Sequence, residues 1–301
     1  MTALHEKTSL ISLEGSTWRG VKSDREATDG TATLFDTTAN WVMTSKRLVD
    51  PAVLREPKRV LAQARNYLRG KSAGAADGKF IPGGLPPWDS KGWYIQPNIL
   101  SETVTRNLGE FKSQFDDAVA TLRTVLPTAI DAARADNPKL FKDADYGSVD
   151  GIISHYSFVT DSTIVPDAGD VRVDASKEFV AHLKGQIEAK STKRLSEVTS
   201  HCIKTVVDVA THLAESLEGY DPENKGASPF RDSTFDKVRD LIGIIPALNV
   251  TNDAKIDKAC QDLFAAVGNK SAAQLREDND DRKDVAAKAR AVADNISNLF
   301  D

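Results

Sequence analysis

The sequence predicts an α+β fold that is mainly α, with a small N-terminal and central β-sheet head and a long antiparallel helical hairpin or coiled-coil bundle. Three observations lead to this class. Apolar residues recur at the helical period of about 3.6 residues between Val104 and Ala133. The stretch from Ala175 to Leu217 contains no proline and a single glycine. Short alternating patterns, rich in β-branched and aromatic residues, occupy 8–49 and 150–173.

The same patterns predict a division of the chain into two parts. Residues 1–100, joined by strands from about 150–173, are expected to form the α+β head. Residues 101–135 and 174–300 are expected to form the helical bundle. In this bundle the helix over Val104–Ala133 would cover much of the longer helix as its antiparallel partner.

The first 49 residues are expected to supply most of the strands of the head. An Asp29-Gly30 turn signal is associated with a second predicted strand pair, while the first pair is either two strands or a short extended segment. The four segments are LISLEG (10–15), WRGVK (18–22), TATLF (31–35) and NWVMTSKRLV (40–49). Trp18 and Trp41 are expected to anchor the core of this sheet, because aromatic side chains supply much of the buried area in a small core.

A helix is predicted after these strands. Asp50 is a favourable helix cap, Pro51 is a favourable first helical residue, and apolar residues keep helical spacing up to Gly70. Two more short strands around a turn are predicted from the apolar residues Ile153, Tyr156, Phe158, Ile164, Val171 and Val173.

The longest predicted element follows an N-cap at Asp174 and continues to Leu217. Its apolar stripe repeats every 11 residues, which is three turns of a nearly straight helix. About 43 residues at 1.5 Å each span roughly 65 Å. Because this length exceeds the diameter expected for a compact domain of this size, the helix is expected to project.

The part of this stripe that its own chain leaves uncovered is expected to bind another copy by knobs-into-holes packing. The predicted oligomer contacts are Leu195, Val198, Val206, Val209 and Leu213. On this hypothesis Val206→Asp would dissociate the oligomer. The alternative is a bundle that buries the whole stripe within one chain.

Three more helices are predicted in the C-terminal part. They cover about Thr234–Leu248, Asp253–Val267 and Ser271–Phe300. Gly219 and Pro222 mark the stop of the long helix before them.

Composition limits the class of protein. A formal net charge of -5 over 301 residues argues against a dedicated binder of duplex DNA, which must neutralise phosphates. Only two cysteines, Cys202 and Cys260, are present, so a disulfide framework is not expected and a reducing compartment is indicated. No secretory signal or spanning helix is expected, so the predicted location is the cytoplasm, without membrane contact.

A basic segment gives the clearest binding signal. From Lys46 to Lys79, nine residues are basic and only three are acidic, and aromatic residues lie in or just after this stretch. Single-stranded nucleic acids bind to basic grooves with stacking aromatics. The predicted contacts are Arg55, Lys58, Arg59, Arg65, Arg69, Lys71, Trp88 and Trp93. The alternative is that the basic stems coat a helix while the tryptophans cap the core beneath them.

The stretch GGLPPWDSKGWYIQP, residues 83–97, joins two predicted helices. Its prolines restrict the backbone. The stretch can therefore fill the space at a hinge between the two helices, as a plug, or present its aromatic residues as a docking site. We expect the plug, with Trp93 as its most buried residue.

No catalytic residues, cofactor site or metal site are predicted. The sequence contains no phosphate-binding glycine motif, HExxH, CxxC or GxSxG. His201 and His212 share a helix face but lie about 16 Å apart along it, which is too far for one metal ion.

Several segments in order resemble an uncharacterised family of phage and prophage proteins. These are Thr17–Gly20 (TWRG), Ser45–Leu54 (SKRLVDPAVL), Gln63–Gly70 (QARNYLRG), the loop Phe80–Pro87 and the GWYIQP segment before a long helix. The resemblance covers about residues 8–215 and includes no catalytic signature. Members of this family are often encoded beside MoxR-type AAA ATPases and von Willebrand-type adaptor proteins, which implies an assembly or adaptor role in the host-cell cytoplasm.

Together these features predict a non-enzymatic, self-associating phage (viral) protein that acts as a scaffold or adaptor. Its expected partners are other copies of itself and an AAA ATPase or another phage protein. The alternative is a single-stranded nucleic-acid binding or recombination accessory protein.

Overall fold

A computed structural model describes residues 4–71, 81, 84–171, 175–221, 232–268 and 270–298. The fold is α+β and mainly α, as the sequence predicts. The helices are α1 (Leu4–Lys7), α2 (Arg25–Leu34), α3 (Arg55–Leu68), α4 (Ser101–Asp136), α5 (Val149–Ile153), α6 (Lys177–Glu218), α7 (Asp232–Leu248), α8 (Ala254–Val267), α9 (Ala272–Glu277) and α10 (Asn279–Ser297). The strands are β1 (Thr8–Ser16), β2 (Val21–Ser23), β3 (Ser45–Arg47), β4 (Trp93–Pro97) and β5 (Ser157–Ile164).

The chain divides into two compact units. Unit 1 comprises Met1–Ser12, Asn66–Val104 and Asp161–Asp301, and unit 2 comprises Leu13–Arg65 and Thr105–Thr160. The boundaries of these units differ from the boundaries of the predicted head and bundle. Residues 66–100 fall in the unit that contains the C-terminal helices, and residues 105–135 fall in the other unit.

β1 is the middle strand of a three-stranded sheet in the order β4-β1-β5. Thr8 to Ser12 of β1 pair antiparallel with Pro97 to Trp93 of β4. The LISLEG strand is therefore confirmed, but β4 is its neighbour, whereas the WRGVK region contributes β2 to a separate pair with β3.

The predicted TATLF strand is wrong, because these residues belong to α2, apart from Phe35, which caps its end. The Asp24 side chain accepts a hydrogen bond from the Ala27 amide (3.0 Å) and caps the helix. Within the helix, the hydroxyls of Thr28 and Thr31 donate to the carbonyls four residues back. Threonine favours strands by propensity, but these local hydrogen bonds satisfy the threonine hydroxyls within the helix.

The core of unit 2 is a cluster of Val49, Leu54, Leu122, Leu126 and Ile152. Trp18 packs against this cluster, as expected of a core residue. Trp41 does not, since its side chain is 84% exposed, so the prediction that Trp41 anchors a core is wrong.

The region predicted as two strands at 150–173 contains a helix and a strand. Ile153 ends α5, which Ser148 caps by accepting from the Gly151 amide (3.0 Å). β5 follows at Ser157–Ile164. The predicted strand residue Val173 and the predicted cap Asp174 lie outside the described residues. Among described residues Ser176 caps α6, by accepting from the Phe179 amide at 3.3 Å.

The long helix is confirmed as the single uninterrupted helix α6. Its buried residues are Val198, Cys202, Thr205, Val206, Ala210, Leu213, Ala214 and Leu217. They all lie in the C-terminal half, where α7, α8 and α10 of the same unit pack against the helix. No residue between Lys177 and Glu197 is buried. The apolar repeat therefore belongs to the interior of unit 1 over half of its length only.

This packing corrects three of the predicted oligomer contacts. Val198 is 2% exposed, and Val206 and Leu213 are fully buried. Because helices of the same chain cover them, these side chains are not available to another copy. Leu195 and Val209 are partly exposed, so their role as contacts stays a prediction, as does the pairing of α4 with α6.

The C-terminal helices agree with the sequence-based prediction except at one residue. The helix predicted over Asp253–Val267 is α8, and Asp253 caps it by accepting from the Lys255 amide (2.9 Å). The helix predicted over Ser271–Phe300 is broken into α9 and α10. Asp278 stands between them and accepts from the amides of Asp280 (3.0 Å) and Asp281 (2.9 Å). An aspartate that caps the second helix in this way ends the first.

The tryptophan-proline stretch buries a tryptophan in unit 1, but not the one that the sequence predicts, and its role as a plug at a hinge stays a prediction. Trp88 is 4% exposed, whereas Trp93 is only partly buried, so the prediction that Trp93 is the most buried residue is wrong. The Lys190 ammonium lies 4.7 Å from the centre of the Trp88 ring. Gly84 has a φ of +75°, which glycine adopts easily and other residues rarely adopt, and a Cβ there would lie 2.3 Å from the Arg69 backbone.

The burial of α6 yields a prediction on stability. Leu213→Ala removes a fully buried side chain and should lower the free energy of unfolding by about 2–5 kcal/mol. His212→Ala, at the neighbouring exposed position, should change it by less than about 0.5 kcal/mol. Urea unfolding followed by circular dichroism measures both. Equal stabilities of the two variants would contradict the assignment of this helix face to the core.

Candidate functional site

The predicted nucleic-acid contacts of unit 2 are mostly engaged with their own chain. The Arg59 guanidinium binds the Glu56 carboxylate and the Gln63 side chain. Arg65 donates to the Gly15 carbonyl (2.7 Å). Lys58 is half-buried, and burial lowers the pKa of its ammonium. Arg55 is exposed at the start of α3.

The predicted contacts of unit 1 do not form a stacking platform. Trp88 is buried below Lys190 and Arg194 of α6, at 4.7 and 6.0 Å from its ring centre. Its faces therefore pack on protein, so it is not available to stack on a base, and its assignment as a nucleic-acid contact is wrong. Arg69 donates to the Tyr94 hydroxyl (3.2 Å), and Lys71 is exposed. Trp93 is partly exposed. The predicted basic residue Lys79 lies outside the described residues.

A different surface feature is prominent in unit 2. Four large apolar side chains are exposed within ten residues: Leu34 (79%), Phe35 (71%), Trp41 (84%) and Met43 (86%). We call residues 34–43 the apolar segment. Soluble monomers seldom expose large apolar side chains together, and such groups mark binding surfaces. Sequence reasoning missed it, because the predicted strands TATLF and NWVMTSKRLV place Trp41 in the core of a sheet.

The main chain of the apolar segment is folded. The Thr37 amide donates to the Ala32 carbonyl (2.9 Å), and the Trp41 amide donates to the Thr38 carbonyl (3.0 Å). At the end of the segment, the Thr44 amide and hydroxyl both bond to the Thr28 hydroxyl, at 3.0 and 2.9 Å. The exposure of the four side chains therefore belongs to an ordered conformation.

The apolar segment lies in the connection between β2 and β3, and these two strands pair with each other. In this pair Lys22 lies opposite Lys46. Like charges directly opposite each other destabilise a strand pair. Asp145 resolves this conflict, because one carboxylate oxygen lies 2.8 Å from the Lys22 ammonium and the other 2.7 Å from that of Lys46. Asp24 adds a second carboxylate 3.4 Å from Lys46. We call these four residues the ion cluster.

Contacts in and around the ion cluster shift the pKa of Asp145, Asp24 and Lys46. Hydrogen bonds from Lys22 and then Lys46 lower the pKa of Asp145. The hydrogen bond from the Ala27 amide is the largest cause that lowers the pKa of Asp24. Asp145 is also the main cause that raises the pKa of Lys46. Lys46 therefore stays protonated at neutral pH and serves as a structural cation instead of a nucleophile.

A cleft of about 720 Å³ lies beside the ion cluster in unit 2. One wall is the end of α4, where Ala129, Ala132 and Ala133 leave space. Leu48, Val49 and Val53 form another part of the wall. Phe141 and Tyr146 close one side, stacked at 4.8 Å between ring centres. We call this space the alanine cleft.

Tyr146 ties the alanine cleft to the β3 side. Its hydroxyl donates to the Leu48 carbonyl at 2.6 Å. On the other side of the ring pair, the Arg134 guanidinium lies 4.8 Å from the centre of the Phe141 ring. The walls of the cleft are therefore held in place by contacts within unit 2.

Other chemistry is sparse in the part of the chain that the structure describes. No group of three or more His, Cys, Asp or Glu side chains there is arranged to hold a metal ion. Cys202 and Cys260 are free and buried, and burial raises the pKa of each thiol to about 12. None of the described helices has the length and hydrophobicity needed to cross a bilayer.

Comparisons with protein-family models, with curated proteins and with solved structures find no match to this chain. The resemblance to the phage and prophage family therefore stays a prediction from the sequence.

The ion cluster predicts how unit 2 responds to acid. Because the folded-state pKa of Asp145 is lowered, its stabilising contribution is present above its ordinary pKa of about 4 and is lost as the pH falls through the lower folded value. Asp145→Asn should therefore lower the thermal unfolding midpoint at pH 7. The difference from the wild type should shrink below about pH 4.

Asp143→Asn is the matched control. The Asp143 carboxylate is 82% exposed and pairs with Arg134 at the surface, where ion pairs contribute little. Differential scanning calorimetry from pH 3 to pH 8 compares the three proteins at about one-unit steps. A deficit for Asp145→Asn that stays constant down to the lowest pH would contradict a role for its charge.

Proposed function

We propose that this chain is a non-enzymatic, self-associating protein that serves as a scaffold or adaptor in a larger assembly. The observation that supports this function best is the apolar segment, with four large side chains between 71% and 86% exposed on a folded main chain. Tryptophan contributes strongly to binding at protein interfaces, and methionine and phenylalanine are enriched there. Trp41 is therefore the residue that we expect to contribute most.

The contact surface in this proposal differs from the one expected from the sequence. The stripe of α6 is covered by its own chain between Val198 and Leu217. The apolar segment replaces that stripe as the main contact. Leu195 and Val209, which are partly exposed on α6, remain as secondary candidates.

The setting of the proposal comes from the sequence resemblance. A phage protein of this kind would act in the host-cell cytoplasm, together with other copies and with an AAA ATPase or another phage protein. An adaptor needs a surface that buries apolar area on binding, and the apolar segment is such a surface.

Single-stranded nucleic-acid binding has less support. Base stacking supplies about 1–3 kcal/mol per base in such proteins. Trp88, the aromatic residue expected to supply it, packs under α6 instead. Arg59 and Arg65 are engaged with Glu56 and with the Gly15 carbonyl.

The proposal predicts association that depends on the apolar segment. Light scattering over a concentration series should show wild-type oligomers whose mass does not change when a single-stranded oligonucleotide is added. Trp41→Ser combined with Met43→Ser should shift the protein to monomer, because it removes two highly exposed apolar side chains from the contact. Folding should be unaffected, since exposed substitutions change stability by about 0.5 kcal/mol or less.

Ile99→Ser is the matched control, because Ile99 is 78% exposed but lies outside the apolar segment. It should leave the oligomer mass unchanged. A wild type that stays monomeric at every concentration would contradict the proposed function. A shift to a protein–oligonucleotide complex that weakens with salt would favour nucleic-acid binding instead.

A further inference from the structure

Unit 2 carries both an exposed apolar projection and a recess that is partly apolar. The apolar segment exposes Leu34, Phe35, Trp41 and Met43. The alanine cleft offers about 720 Å³, within the range of about 300–1,000 Å³ that is typical of binding pockets. Apolar residues of α4 and of the Leu48–Val53 stretch form part of the cleft lining, and polar or charged residues form the rest.

Two polar groups beside the cleft, Lys46 and Tyr146, are already engaged. Lys46 contacts Asp145 at 2.7 Å, Asp24 at 3.4 Å and the Leu140 carbonyl at 2.7 Å. The Tyr146 hydroxyl donates to Leu48. A small polar ligand would have to compete with these partners, whereas an apolar side chain needs only the alanine and valine walls.

We propose that the alanine cleft of one copy binds the apolar segment of a second copy, with Trp41 inserted between α4 and the Leu48–Val53 wall. This inference rests on the proposed self-association and names its contact. It assigns the donor surface and the acceptor surface to different parts of unit 2.

Size favours this occupant. Each aromatic side chain buries about 150–250 Å², so Phe35 and Trp41 supply a substantial part of the roughly 800 Å² that a specific interface needs per partner. Asp36 is the only charged residue of the segment. Arg47 is exposed at the cleft, whereas Asp50 and Asp136 line it elsewhere. The segment would therefore enter with Asp36 towards Arg47.

Such a contact is heterologous, because a projection meets a recess. After two copies bind, one cleft and one segment remain unused, so further copies can add. The contact therefore produces a ring or a filament, which suits a scaffold.

The test uses variants that block each surface separately. Ala132→Trp fills the cleft from an exposed position on α4, and Leu140→Asp places a charge at its half-exposed edge. Each should weaken self-association by about tenfold or more. Ala135→Trp is the control, since Ala135 is exposed on the same helix but does not line the cleft.

The decisive experiment mixes two variants of the full chain. The double variant Trp41→Ser with Met43→Ser loses the apolar segment but retains an open cleft. The variant Ala132→Trp blocks the cleft but retains the apolar segment. Each alone should be monomeric, and the mixture should form a two-chain complex that grows no further, as measured by analytical ultracentrifugation.

Three outcomes would overturn the inference. If the cleft variants assemble like the wild type while the segment variant does not, the segments bind each other and the proposed function stands without this contact. If both variants are monomeric but their mixture forms no complex, the surfaces do not meet. If the wild type never associates, the proposed function fails together with the inference.

Discussion

One carboxylate between two lysines sets the geometry of the candidate site. Lys22 and Lys46 lie opposite each other in a pair of three-residue strands, which is too short to tolerate their repulsion without help. Asp145 neutralises both. Because α2, the apolar segment and one side of the alanine cleft all connect to this strand pair, their positions depend on that interaction.

Burial along α6 sets a second constraint, this time within unit 1. An apolar stripe on a helix of 42 residues must be covered, and α7, α8 and α10 cover the C-terminal half. The Lys190 and Arg194 side chains of the other half lie over Trp88. The same helix therefore acts as a core element over one half and as a cover for a buried tryptophan over the other.

The sequence predicts the long helices well, because helical periodicity over many turns is a strong signal, as in α4 and α6. It fails where a single side chain decides local structure. Asp24 makes a helix of a threonine-rich stretch, and Asp278 divides one predicted helix into two. It also fails for Trp41 and Trp88, because composition alone does not show which aromatic residue the rest of the chain covers. The apolar segment was missed for that reason.

The Asp24 amide donates to the Thr44 carbonyl at 3.0 Å, so the backbone leaves and re-enters the β2–β3 ladder at neighbouring points. Everything from Arg25 to Met43 is thus a self-contained insertion whose two ends nearly touch. Such a module can be lengthened, shortened or exchanged during evolution while the strand pair beneath it keeps its register.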